Sequence, residues 1–389
     1  MLRRPWLVHA FRSLGALGSL TAPSFPWAQE AADKTAARNS VRNSAAYLYK
    51  GADREARLLE GAKKEGALSV YTSLNTRDSG PIVEAFEKKY GVRTQLWRAS
   101  SEKVVQRAVT EARAGRHSVD AFESNGPELE QLFREKLLSE FWSPHFKDLP
   151  PAAFPKHRHY VADRFNFFVL AWNTQLVKPE DVPSTYADLL LPKYKGKVGV
   201  EASDTDWFGG MVKAMDKDKS DYKNQNKGEN KIESKSEGKG LAYFRQLAAM
   251  QPQVRTGHTL MGELLSSGEI AIVASIYNHV VEKLIVRGAP VKWKAMAPTL
   301  GRPNGVALAK QAAHPHAALL FADFMLSPQG QQLIKERSRV PASMAVESHM
   351  NKFPFEMIDP VVTLDEDDKW NKLWSQLFLG GRKAQKESE

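Results

Sequence analysis

At 389 residues, with 42% hydrophobic and 26% charged residues, the chain is globular and too long for one ordinary core, so two lobes are expected. Cysteine is absent, which excludes disulfides, thiolate metal sites and cysteine nucleophiles. The net charge of +10 includes Arg3, Arg4 and Arg12, and the remaining excess is interleaved with acids in no basic–aromatic motif, so no nucleic-acid partner is expected.

In chain order, residues 1–28 read as an export signal. Arg3-Arg4 precedes an apolar stretch, acids begin only at Glu30, and "WAQE" offers a cleavage junction after Ala28. No later run reaches eighteen apolar residues, so a soluble periplasmic protein is expected. Residues 29–50 are small and polar and read as a flexible lead. "DREARLLEGAKKEG" is a helix stopped by Gly66, and "ALSVYTSL" a strand. "GPIVEAFEKKYG" is a helix with Pro81 in its first turn and Gly91 as its stop. "VRTQLWRA" and "SVDAFESN" are further strands, each followed by a helix. This repeated β-loop-α pattern predicts an α/β fold with mostly parallel sheets flanked by helices.

"RFNFFVLAWNT" (164–174) is a long strand without a short return, which suits a crossing between lobes. "VKWKAMAPTLGRPNGVALA" is a second crossing. Residues 51–165 plus 300–389 are expected to form lobe 1, and 166–299 lobe 2. The lysine-rich segment 216–240 has no apolar period and balances its lysines with acids, so it reads as a solvated insertion. Two β-α lobes joined by two crossing strands make a clamshell whose cleft lies beyond the carboxyl ends of the strands.

Five strand ends are polar where that cleft should be. They place Ser73 and Asn75, Ser100 and Ser101, Asn125, Thr205-Asp206-Trp207, and Tyr277-Asn278 as candidate ligand-binding residues. Several precede helices, whose free N–H groups favour an anion, although Ser, Thr, Asp and Asn also serve as ordinary helix caps. No nucleophile elbow, phosphate loop, dinucleotide fingerprint or zinc-protease motif is present, so catalytic residues and a cofactor are not expected. The pairs His157/His159 and His314/His316 have metal-ligand spacing, but one sits in a basic loop and Pro315 opens a helix at the other.

The stretch from "EGALSVYTSLNTRDSGPIVEAFEKKYGVRTQLWRASSEKVVQ" through "VDAFESNGPELEQL", "YADLLLPKYKGKVGV", "GEIAIVASIYNHV" and "HPHAALLFADFMLSPQGQQLI" resembles type 2 periplasmic solute-binding proteins of ABC importers. Its nearest branch resembles the ferric-iron-binding proteins. The resemblance implies a two-lobed Venus-flytrap fold, a monomer that closes on a small solute, and delivery to an inner-membrane permease. Iron-binding members use two consecutive tyrosines, with a histidine and an acid. By position the tyrosine pair falls on Ile276 and Tyr277, the histidine near Asn75 and the acid near Asn125. One phenol among neutral amides is a poor cage for a trivalent cation. A small organic or phosphorylated anion, or a ligand-complexed metal such as an iron complex, is therefore the expected ligand, with Tyr277 a metal ligand only if ferric iron is the solute. A ligand-sensing docking protein, or an enzyme on the same scaffold, are the alternatives.

Overall fold

The computed structural model of the protein describes residues 26–217 and 238–380. The expected signal sequence before residue 26, and most of the lysine-rich insertion, lie outside the described residues. The first half contains α1 (Pro26–Tyr47), α2 (Arg54–Glu65), β1 (Ala67–Thr72), α3 (Thr76–Tyr90), β2 (Arg93–Arg98), α4 (Ser101–Arg113), β3 (Ala121–Asn125), α5 (Gly126–Arg134) and β4 (Leu138–Ser139). Next come β5 (Tyr160–Asn173), β6 (Val198–Glu201), α6 (Thr205–Lys217), α7 (Lys239–Ala249), β7 (Gln253–Arg255), α8 (His258–Ser267), β8 (Ile272–Tyr277), α9 (Asn278–Val286) and β9 (Val291–Lys294). The chain ends with β10 (Leu300–Ala309), α10 (Pro315–Leu326), α11 (Pro328–Glu336), β11 (Val340–Pro341), β12 (Glu356–Met357), α12 (Pro360–Asp365) and α13 (Asp367–Phe378).

β5 links two sheets. Its first part pairs antiparallel with β10, and its second part pairs antiparallel with β8 and β9. Such a strand has apolar neighbours on both faces, which is why Phe167, Phe168, Val169, Leu170 and Ala171 form an unbroken apolar run. On one side the order is β2-β1-β3-β10, with β1 parallel to both β2 and β3. On the other side the order is β8-β6-β7, all parallel. The link between β9 and β10 returns the chain to the first sheet. Parallel pairing thus holds within each β-α series, while β5 is antiparallel to all its neighbours and β10 to all but the short β12.

Three expectations are corrected. Residues 29–50 are not a loose lead, because α1 runs through them and its end is pinned to the first sheet. Tyr47 is fully buried and donates to the Ala309 carbonyl at 3.1 Å, and Asn43 Nδ2 donates to the Ala312 carbonyl at 2.9 Å. Helix α3 begins at Thr76, not near Pro81, because the Asn75 side chain accepts from the Asp78 N–H at 3.1 Å and caps it earlier.

The third correction concerns the C-terminal segment expected in lobe 1. Helix α12 packs on α5, but α13 packs on α6 and α7 beside the second sheet. Trp370 and Trp374 join the core around Trp207, Phe208 and Phe244, and Trp374 Nε1 donates to the Ala202 carbonyl at 2.6 Å. Large aromatic area drives this docking, since each indole removes a wide apolar surface from water. The tail therefore bridges the two halves beside the cleft.

Candidate functional site

Strand ends and helix starts converge between the two sheets on a cavity of about 240 Å³. Ser73, Ser100, Ser101, Asn125, Thr205, Asp206 and Tyr277 line it, which brings together seven of the ten residues singled out from sequence. The other three stand elsewhere. Trp207 is wholly buried in the second core, because the helical turn that aims Asp206 at the cleft carries the next side chain inward. Asn278 is also buried, and its Nδ2 donates to the Met350 carbonyl at 2.9 Å. Asn75 caps α3 and faces a different cavity.

Sequence reasoning missed His258, Arg302, Glu102, Glu128 and Asp367, all of which line the cavity. His258 opens α8 and Arg302 lies within β10, so neither carries a strand-end signature. Asp367 arrives with the C-terminal bridge. Glu102 and Glu128 were legible as first-turn acids of α4 and α5, and this is the signal that could have found them.

Tyr277 sits at the back of the site with no exposed surface. Its ring centroid lies 3.8 Å from that of His258 and 4.8 Å from that of Phe168, and the Arg302 guanidinium stands 5.1 Å from the ring. Arg302 Nη1 in turn lies 3.3 Å from Asp206 Oδ2, and Asp206 Oδ1 accepts from the Trp207 N–H at 2.8 Å. The phenol is thus walled in by a cation and an imidazole. Ile276, the neighbour that a ferric cage would need as a second phenol, is sealed in the opposite core because β8 alternates its faces.

One wall is built around Asp204. His258 Nε2 lies 3.0 Å from Asp204 Oδ1, while Asp204 Oδ2 is buried with no hydrogen-bond partner. Burial pushes the Asp204 carboxyl up to about 7, the His258 charge and hydrogen bond oppose that rise, and the nearby charges of Glu201 and Asp206 add to it. Glu201 is committed to the backbone, accepting from the Ser203 N–H at 2.7 Å and the Gly257 N–H at 2.8 Å. Glu201, Asp204 and His258 are the one group of metal-ligand type found among the described residues. The two histidine pairs noted in the sequence are instead tied into the first half: His157 to Glu130, His314 to Asp120 and His316 to Glu65, with His159 bonded to the His157 carbonyl.

The lining carries five carboxyl groups, on Glu102, Glu128, Asp204, Asp206 and Asp367, against the single guanidinium of Arg302. Four of them occupy first turns, of α4, α5, α6 and α13, where they offset the positive ends of their own helices. The caps of α4 and α5, Ser100 and Asn125, make no side-chain capping bond; the Asn125 amide oxygen accepts from Asn304 instead. Such a wall presents many acceptors and a set of uncapped N–H groups in a small space.

A family model described as bacterial extracellular solute-binding protein matches residues 81–352, and the chain belongs to that family. It is therefore a solute-binding protein of the kind that serves ABC importers. Its fold is shared with iron-bound HitA from Pseudomonas aeruginosa, at 18% identity and a TM-score of 0.65 over 80% of this chain and 99% of that one. It is shared equally with AfuA from Actinobacillus pleuropneumoniae holding fructose-6-phosphate, at 20% identity and a TM-score of 0.64 over 80% and 98%. The Trichodesmium protein IdiA (FutA), in complex with iron and citrate, aligns at 16% identity and a TM-score of 0.64 over 81% and 100%. No protein of curated function matches the chain by sequence.

Proposed function

We propose that the protein captures a small, hydroxyl- or amine-bearing polar solute in the acid-lined cavity and passes it to an inner-membrane ABC permease. The observation that carries this reading is the five-to-one excess of carboxyl groups over guanidinium in the lining. Carboxylates accept hydrogen bonds from hydroxyl and ammonium groups and repel a bare anion. The anion expected from helix starts alone is less well served, because four of those starts already hold an acid. A cavity of about 240 Å³ is below the roughly 300–1,000 Å³ of drug-sized ligand pockets, which favours a compact solute.

A phosphorylated polyol is the second reading. The uncapped N–H groups of α4 and α5 favour it, as they could receive a phosphate while the carboxylates hold hydroxyls. Ferric iron as direct cargo is disfavoured by Ile276 and by the guanidinium over Tyr277. In this account the chain is exported by its N-terminal signal, acts as a monomer in the periplasm, and performs no turnover. Thermal-shift and calorimetric screening of polyols, amino sugars, polyamines and sugar phosphates tests the reading. One-to-one binding that Asp206→Ala weakens at least tenfold supports it, and silence across all four classes overturns it.

A further inference from the structure

A second cavity, of about 550 Å³, lies on the far side of His258 from the solute site, between the starts of α3 and α8, the length of α9 and the turn after α11. Its walls come from both halves of the molecule. The Asp78 carboxylate of α3 receives Lys283 Nζ from α9 at 2.8 Å and Arg339 Nε at 2.8 Å, so a salt bridge already spans the gap there.

The charge of this cavity is opposite to that of the solute site. Arg77, Lys283, Arg287, Arg337 and Arg339 line it. The carboxylates present are Asp78, Glu263 and Glu336, and Asp78 is taken up by Lys283 and Arg339. Among the described residues, Arg77, Arg287 and Arg337 have no ion-pair partner within reach, and Arg337 Nε is buried without an acceptor. Cationic groups that outnumber the carboxylates of a concavity five to three form an attractive field for anions, and guanidinium forks match phosphate and carboxylate oxygens.

His279 stands beside these cations. It is 3% exposed and lines the cavity wall. Arg339 Nη1 lies 2.8 Å from His279 Nε2, and a guanidinium can only donate, so Nε2 accepts and the ring proton sits on Nδ1. That Nδ1–H is buried with no acceptor. Burial, then the charges of Arg339 and Lys283, hold the imidazole neutral, well below the usual histidine range.

We infer that this cavity is a second binding site, separate from the solute cleft, for a small anion bearing two or more phosphate or carboxylate groups. Because α3 and α9 belong to opposite halves, an anion held here bridges them in the closed form. Anything that binds only the closed form favours closure, and linkage makes it favour solute capture by the same factor.

Calorimetry of the full exported chain with pyrophosphate and, separately, with citrate tests the inference and tells phosphate from carboxylate. The expected result is one-to-one binding of at least one of them, weakened at least tenfold in the Arg287→Ala/Arg337→Ala variant and retained in Asp206→Asn, which alters only the solute cleft. Arg77→Ala, at an exposed position, is a second variant whose folding is not in question and should also weaken binding. Absence of binding by both anions at millimolar concentration overturns the site. So does binding unchanged by the arginine variants, or binding lost in Asp206→Asn, which would assign the anion to the cleft. None of these outcomes depends on knowing the cleft solute.

Discussion

Replacing Asp204 by Asn should make the protein more stable at pH 8 and flatten its response to pH. An unfolded aspartate titrates near its ordinary value of 3.8, whereas burial lifts the native Asp204 to about 7. Between those values the folded chain holds a proton that the unfolded chain releases. The stabilisation this gives is complete below about pH 4 and is lost as pH rises through 7. At 1.36 kcal/mol per pH unit the swing is about 4 kcal/mol at most, and relaxation around the buried group will reduce it. Asn is isosteric, does not titrate, and can keep a hydrogen bond to His258. Asp163, lifted to about 8 by burial and by Glu123 against the pull of Arg164, leaves a residual slope of the same sign. Urea unfolding at pH 5.5 and pH 8 is the assay. The wild type should lose more stability over this range than Asp204→Asn, by up to about 2 kcal/mol. Equal losses in the two proteins would refute the reasoning, and would mean that Asp204 is ionised in the fold.

Other predictions follow from the same contacts. Asp78→Ala strands Arg339, which is 5% exposed, inside the fold and should cost about 3–5 kcal/mol by chemical denaturation. Lys283→Ala removes a more exposed partner of the same carboxylate and should cost about 1 kcal/mol or less. Trp374→Ala empties the centre of the second core and leaves the Ala202 carbonyl unpaired, so a loss of about 3–5 kcal/mol is expected, and a loss under 1 kcal/mol would contradict the docking of α13. Titration of the apo protein with ferric citrate should give no phenolate-to-iron visible band, and a band abolished by Tyr277→Phe would overturn the disfavoured status of iron.

Much of the first half was legible because each element carries its own punctuation. Gly66 and Gly91 stop α2 and α3 in the left-handed conformation, and the β1, β2 and β3 stretches are each bounded by polar turns. The strand ends pointed to the cleft for a physical reason: parallel strands of one sheet end on one edge. That logic placed Tyr277 and Asn125 in the lining, yet it could not separate Asp206 from Trp207, since one step along a helix changes which side chain meets the cavity.

Less legible were features that depend on distant partners. Nothing local marks Arg302 within β10 as the cation that stands over Tyr277. The α1 segment lacks an apolar stripe, and its anchoring rests on Asn43 and Tyr47 meeting carbonyls more than 260 residues away. Asp367 reaches the cleft only because two tryptophans behind it dock on α6. The helix starts suggested an anion, and only assembly of the four starts showed that their acids face the same small space.

The most direct test of the central claim is native mass spectrometry, with metal analysis, of the protein purified from its natural host, beside Asp206→Ala prepared the same way. The expected result is one bound organic molecule per chain, rich in hydroxyl or amine groups, that is absent from the variant. A stoichiometric iron adduct, or a bound small anion without hydroxyl or amine groups, would contradict it.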